Sequence, residues 1–275
     1  MRTPFSPIGL FDSGIGGLSV ARQVMRILPN ENIVYFGDTA RVPYGTKSPE
    51  TVIGYSLEAA AFLRSQGVKL IIIACNTASA VALQAVQLAS DVPVLGVIQP
   101  GAAAAVAATK NGVVGVIGTQ GTVKSLAYQN AITDLSYTTS VLAQPCPLFV
   151  TLAEEGHTYH PGTLIFAREY LHPLLRQSID TLILGCTHYP LLQPSISEVC
   201  GSAVTLIDPG IATAQEALGL LQSSGMLNPS TSLPRYEYYL TDIPLKFIEV
   251  GERFLGRTLH HVHRIQLDDL PAAHR

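Results

Sequence analysis

Two of the four cysteines lie in matching sequence contexts and have the side chains best suited to chemistry. Cys75 follows the apolar run 70–74, and Cys186 follows the similar run 181–185, 111 positions later. A thiol has a reference pKa of about 8.5, so modest changes in its surroundings make it a base or keep it a proton donor near neutral pH. Two such groups on opposite faces of one carbon atom can remove a proton from one face and deliver one to the other.

Cysteines can also be structural or bind a metal, and both roles are alternatives to acid/base chemistry here. Cys146 lies between two prolines and Cys200 lies in a Val-Cys-Gly stretch, so we expect both to be structural. A free cysteine is often a small buried hydrophobic residue, which is also the alternative for Cys75 and Cys186. Zinc is a second alternative for Cys186 and His188. The chain has no Cys-x-x-Cys pair and this spacing is unusual, so we predict no metal.

Candidate partners of the cysteines carry acidic or imidazole groups. Asp12 opens a glycine-rich loop, 12–18, whose helix N-terminus offers free amides to a carboxylate or a phosphate. The loop lacks the Lys-Ser/Thr of a P-loop and the Gly-x-Gly-x-x-Gly spacing. His188 follows Cys186 by two residues, where an imidazolium favours a thiolate. Capping a helix is the alternative for Asp12, and a surface hydrogen bond is the alternative for His188.

Short apolar runs alternate with helix-like stretches along the chain. This alternation is typical of parallel sheets that are covered on both faces by helices. The predicted strands are residues 8–11, 33–36, 70–74 and 92–98, then 113–117, 138–142, 181–184 and 203–207.

A second landmark indicates an internal duplication. Residues 97–102 resemble residues 206–211 at an offset of 109, close to the offset between the two cysteines. We therefore predict an α/β fold of two similar lobes, with mainly parallel sheets flanked by helices, related by a pseudo-twofold axis. Ligands bind at the carboxyl ends of parallel strands, so both cysteines should face an active-site cleft between the lobes. The predicted lobes are residues 1–98 plus 209–275, with a strand at 236–241, a helix at 244–255 and a strand at 258–266, and residues 99–208.

Composition excludes several classes of function. The chain is 47% hydrophobic and 13% charged, with a net charge of -3, so it has no basic field for nucleic acid. Early prolines interrupt any signal-peptide pattern, and polar residues interrupt the most apolar stretch, 70–88. We expect a cytoplasmic protein with reduced thiols and with neither nucleic acid nor a membrane as its partner.

The sequence resembles the glutamate racemase family of the aspartate/glutamate racemase superfamily. The matching segments occur in the family's order and span most of the chain. The short segment before residue 8 does not resemble the long extension of members that a cell-wall nucleotide precursor activates, so that regulation is not expected. The matching segments are 8–20, 37–41 with 43–45, 74–78, 118–119 with Thr122, and 184–190.

The resemblance implies a racemase without pyridoxal phosphate or any other cofactor, which moves a proton at Cα of glutamate. Cys75 would deprotonate D-glutamate with help from Asp12, and Cys186 would deprotonate L-glutamate with help from His188. The family supplies D-glutamate for peptidoglycan in the bacterial cytoplasm, often as a homodimer. The implied substrate contacts are Asp12, Ser13, Tyr44, Gly45, Asn76, Thr77, Thr119, Thr122, Thr187 and His188, with Asp38 and Glu154 as possible accessory residues.

Two other functions share part of this pattern. Members of the superfamily that act on aspartate tend to have an acidic residue after the Cys-Thr pair, where this chain has His188, so the sequence favours glutamate. A non-enzymatic thiol protein would need the cysteines but not Asp12, the Pro-Tyr-Gly segment or the threonines. For Glu154, a solvated carboxylate is the alternative to a functional one.

Overall fold

The fold consists of two parallel sheets, each flanked by helices. A computed structural model describes residues 2–243 and 246–271. The strands are β1 (Ile8–Asp12), β2 (Ile33–Gly37), β3 (Leu70–Ile73), β4 (Val94–Gly96), β5 (Val113–Gly118), β6 (Ser140–Pro145), β7 (Thr181–Gly185), β8 (Thr205–Ile207), β9 (Tyr236–Leu240) and β10 (Val262–Arg264).

The two sheets repeat one strand order. The larger sheet has the order β10-β9-β2-β1-β3-β4 and the smaller has β6-β5-β7-β8, and every strand pair is parallel. β5 to β8 therefore occupy the same relative places as β1 to β4. The two-lobed α/β fold expected from the duplicated sequence is confirmed. We propose residues 1–98 with 209–275, and residues 99–208, as the two lobes.

Helices cover both faces of the sheets, which explains why the central strands are mostly apolar. Every residue of β1, β2, β3 and β7 is buried, as in sheets with two covered faces. No helix in the described part of the chain is long and apolar enough to cross a membrane. The helices are α1 (Leu18–Ile27), α2 (Pro49–Ser65), α3 (Asn76–Ala89), α4 (Ile98–Ala108), α5 (Gln120–Lys124), α6 (Ala127–Leu135), α7 (Leu148–Glu154), α8 (Pro161–Leu175), α9 (Gln193–Cys200), α10 (Pro209–Ser223) and α11 (Phe247–Leu255), with 3-10 helices at Tyr44–Thr46, Tyr189–Leu192 and Leu267–Asp269.

The C-terminal segment returns to the first sheet. β9 pairs with β2, and β10 extends the same edge. The helix expected over 244–255 is observed from Phe247, and positions 244 and 245 lie outside the described residues. The strand expected over 258–266 is limited to β10.

A buried ion pair fastens this returning segment at the amino ends of the strands. Lys69 Nζ lies 2.5 Å from Glu31 Oε2 and donates hydrogen bonds to the carbonyl oxygens of Pro4 (2.5 Å) and Met226 (2.8 Å). Glu31 Oε1 accepts a hydrogen bond of 2.8 Å from the Asn228 backbone N–H. One charged pair thus joins the N-terminal segment, two strands of the sheet and the chain that follows α10.

Replacing the buried lysine should destabilise the fold. Lys69→Met leaves the Glu31 carboxylate buried without its cation, which should lower the free energy of unfolding by about 3–5 kcal/mol. Urea denaturation measures this change. Lys110→Met alters an exposed side chain and should shift stability by no more than about 0.5 kcal/mol. A Lys69→Met effect as small as that of the control would contradict a fastening role for the pair.

Candidate active site

Cys75 lies at the carboxyl end of β3, where it is the residue before α3. Its side chain is buried, and its thiol donates to Ser13 Oγ at 3.7 Å. Burial, reinforced by the negative charge of Asp12, raises the pKa of Cys75 to about 12. The thiol is therefore protonated at neutral pH and is a proton donor.

Asp12 ends β1, the strand beside β3, and is 1% exposed. The Gly14 backbone N–H donates to its Oδ2 at 2.9 Å, but no described group hydrogen-bonds to the buried Oδ1. Burial raises the pKa of Asp12, whereas the charge of His188 and the loop amides lower it. A buried carboxylate oxygen without a partner is costly, so Oδ1 is suited to accept a hydrogen bond from a ligand ammonium group or from a thiol.

Cys186 has an imidazole companion. It follows β7, and its Sγ lies 3.8 Å from His188 Nδ1. The opposite ring nitrogen, His188 Nε2, lies 2.9 Å from Glu154 Oε1. Burial opposes the charged form of His188, but the hydrogen bonds and charges of Cys186 and Glu154 outweigh it and raise the pKa of His188 to about 10. An imidazolium at this distance can donate a hydrogen bond to Cys186 Sγ.

The loops that carry these groups touch across the lobe boundary. A Cβ atom on Gly16 would lie 2.4 Å from Thr187 Oγ1 and 2.5 Å from His188 Nδ1, distances that no side chain tolerates. Ser19 Oγ donates a hydrogen bond of 2.7 Å to the Thr187 carbonyl. Glycine at position 16 therefore allows the first loop of one lobe to pack against the Cys186 loop of the other.

Three threonine hydroxyls meet in the cleft. Thr77 Oγ1 lies 3.0 Å from Thr119 Oγ1 and 3.2 Å from Thr122 Oγ1, and Thr119 and Thr122 are 3.1 Å apart. Gly45 packs against Thr119, because a Cβ there would lie 2.8 Å from Thr119 Cβ. Hydroxyls that rotate freely between donor and acceptor roles are suited to holding a carboxylate.

Asp38 accepts hydrogen bonds from the loop that follows it in sequence and contains Arg41 and Tyr44. It is fully buried, and its Oδ2 accepts hydrogen bonds from Arg41 Nε (2.7 Å) and Tyr44 Oη (2.5 Å). Its Oδ1 accepts from Thr241 Oγ1 at 3.0 Å. With both oxygens occupied, Asp38 holds the segment that presents Tyr44 and Gly45 rather than offering a free carboxylate.

Buried tyrosines support the site, and the sequence analysis did not identify them in this role. The Tyr35 hydroxyl donates to the Gly14 carbonyl (2.8 Å), the Tyr128 hydroxyl to Asn76 Oδ1 (2.7 Å), and the Tyr189 hydroxyl to the Cys146 carbonyl (2.8 Å). All three side chains are fully buried. Each partner is distant in sequence or on another element, so no local pattern could have revealed these contacts.

The structure thus gathers half of the predicted site residues into two groups. Ser13 and Asp12 lie near Cys75, whereas Thr187 and His188 follow Cys186, and Glu154 joins that group through His188. Among the described residues, no three or more His, Cys, Asp or Glu side chains are grouped so that they could hold a metal ion.

Comparison with known proteins gives consistent matches. The family model described as Asp/Glu/hydantoin racemase matches residues 13–217. A glutamate racemase of Geobacter metallireducens is 49% identical over 96% of this chain and 98% of its own length. The glutamate racemase of Syntrophus aciditrophicus is 53% identical over 95% of this chain and 97% of its own length. The crystal structure of glutamate racemase from Francisella tularensis in complex with D-glutamate superposes with a TM-score of 0.90, at 44% identity over 96% and 99% of the two chains.

The Glu154 carboxylate should control the titration of His188. Glu154→Gln keeps the shape of the side chain but removes its charge, so the pKa of His188 should fall from about 10 toward its ordinary value near 6.5. The imidazolium would then be lost at lower pH, as NMR titration of the His188 ring would record. Glu155→Gln is the matched control, since Glu155 pairs with Lys246 instead. An unchanged His188 titration in Glu154→Gln would contradict this electrostatic coupling.

Proposed function

This chain belongs to the Asp/Glu/hydantoin racemase family, and we propose that it interconverts L- and D-glutamate by moving a proton at Cα between Cys75 and Cys186. The observation that carries the proposal is the placement of the two buried thiols after corresponding strands of two lobes, each with a different charged companion. No cofactor enters the proposed reaction.

For the L to D direction, Cys186 is the base and Cys75 is the acid. The His188 imidazolium next to Cys186 favours the thiolate, which takes the Cα proton of L-glutamate. The Cys75 thiol, held protonated by burial and by Asp12, gives its proton to the opposite face. The reverse direction exchanges these roles, and Asp12 and His188 each take or return a proton as their thiol requires.

Polar groups around the thiols would hold the substrate. The free Oδ1 of Asp12 is suited to the ammonium group, and the threonine hydroxyls with Asn76 are suited to a carboxylate. Ser13, Tyr44, Gly45, Thr187 and His188 complete the proposed contact set by their match to the family. Both thiols are nearly inaccessible in this conformation, so the lobes must separate to admit substrate.

The preference for glutamate over aspartate rests on the position of His188 and on the names of the relatives. Through its resemblance to these bacterial enzymes, we propose that the protein supplies D-glutamate for peptidoglycan in the cytoplasm and forms a homodimer. A circular-dichroism assay on L-glutamate, L-aspartate and L-alanine without added cofactor tests the substrate. Faster turnover of aspartate would overturn the assignment.

Replacing either thiol should stop racemisation while sparing half of the chemistry. A serine hydroxyl is a far weaker acid, so Cys75→Ser and Cys186→Ser should lower the racemisation rate by about 10²–10⁴-fold. Elimination from a β-substituted glutamate analogue needs only proton abstraction. Cys75→Ser should therefore retain elimination from the L analogue, and Cys186→Ser from the D analogue.

Cys200→Ser is the matched control and should racemise at the wild-type rate. Two results would contradict the assignment of the thiols: near wild-type racemisation by either single variant, or elimination from the same enantiomer by both.

Tyr128 should act through the orientation of Asn76. Because its hydroxyl donates to Asn76 Oδ1, the amide N–H groups are left to face a carboxylate. Tyr128→Phe should raise KM for glutamate about fivefold to tenfold, the equivalent of one hydrogen bond, with a smaller change in kcat. Tyr137→Phe removes a hydroxyl from an exposed side chain and should leave both constants unchanged. Equal KM values in the two variants would refute the orienting role.

A further inference from the structure

Helix α11 comes from the C-terminal segment, which lies outside the duplicated strands, yet it packs beside the Cys186 half of the site. Phe254 is fully buried, and its ring lies 5.0 Å from the His188 ring in a nearly perpendicular arrangement. Within residues 2–243 and 246–271, the smaller sheet has no strands equivalent to β9 and β10, which flank α11 in sequence. The duplicated frame therefore receives an added element that contacts His188, the companion of Cys186.

Arg253 precedes Phe254 and holds the end of α7. Its Nη1 donates a hydrogen bond of 2.8 Å to the Glu154 carbonyl, and its Nη2 lies 3.0 Å from Glu249 Oε1. Gly156 has a φ of +76°, and a Cβ there would lie 2.8 Å from Arg253 Nη1. The guanidinium thus occupies the turn after the helix, where a cation also interacts favourably with the helix dipole.

The hydrogen bond from Arg253 to the Glu154 carbonyl can affect proton transfer because the Glu154 side chain contacts His188. The Glu154 side chain is 44% exposed, and its Oε1 must stay 2.9 Å from His188 Nε2 to support the imidazolium. Glu154 is the last residue of α7, where helices fray unless their terminal carbonyls are bonded. Arg253 supplies that bond from the other lobe.

We propose that Arg253 is a positioning residue for the Cys186 half-reaction, acting through Glu154 and His188 without touching the substrate. The inference rests on the two-thiol function proposed above. Its consequence is one-sided: loss of Arg253 should slow proton transfer at Cys186 and leave the Cys75 step intact.

Overall rates cannot separate the two faces, because the equilibrium constant between enantiomers is unity and kcat/KM is then equal in both directions for every variant. Substrate isotope effects can separate them. Deuterium at Cα of L-glutamate reports the Cys186 abstraction, and deuterium at Cα of D-glutamate reports the Cys75 abstraction. When the Cys186 step becomes more rate-limiting, the isotope effect on kcat/KM rises for the L substrate and falls for the D substrate.

The test compares Arg253→Met with wild type and with Arg257→Met, which alters an arginine of the same segment that stacks on Tyr236. Arg253→Met should lower kcat/KM about tenfold, as loss of an outer support does, and should move the two isotope effects in opposite directions. Arg253→Lys restores a cationic donor. It should return kcat/KM and the two isotope effects toward their wild-type values. Arg257→Met should match wild type throughout.

Unchanged isotope effects in Arg253→Met, or a shift in the same direction for both enantiomers, would overturn the inference. If Arg253→Met does not fold in a thermal denaturation control, Arg253→Ala decides by the same pair of isotope effects, since it also removes the donor to the Glu154 carbonyl. Failure of the proposed function can be distinguished from failure of this inference. In the former case the wild-type protein itself would not racemise glutamate.

Discussion

The contact of Gly16 with Thr187 and His188 is the constraint on which the site depends. There is no space for even a methyl group between the two loops, and both cysteines are almost excluded from solvent. Burial at this depth disfavours charge unless a partner compensates. A charge beside a thiol buried this deeply therefore acts on it strongly, since little solvent screens the interaction.

Those neighbours differ although the strand order is the same. Cys75 has the Asp12 carboxylate beside it, which adds to burial in raising the pKa of the thiol. Cys186 has an imidazole whose own pKa is raised by its partners. The two thiols thus meet opposite charges in equivalent places, a carboxylate beside Cys75 and an imidazolium beside Cys186, which suits the opposite roles proposed for them.

Apolar runs that end in small polar residues predicted the strands, and the repeat around Cys75 and Cys186 predicted the duplicated order. Local patterns could not reveal long-range contacts. Tyr128 and Arg253 reach partners 52 and 99 residues away. Asp38 was expected as a possible accessory residue, and the contacts that occupy both of its oxygens could not be read from the sequence. Glu154 had no spacing signal linking it to a cysteine, since only the fold of the second lobe brings it to His188.

Racemisation of L-glutamate in D₂O, followed at early times by proton NMR at Cα, tests the central claim most directly. Two thiols on opposite faces predict that newly formed D-glutamate carries deuterium at Cα while the remaining L-glutamate stays protonated. Equal deuterium in both enantiomers from the start would indicate a single base serving both faces. That result would contradict the account.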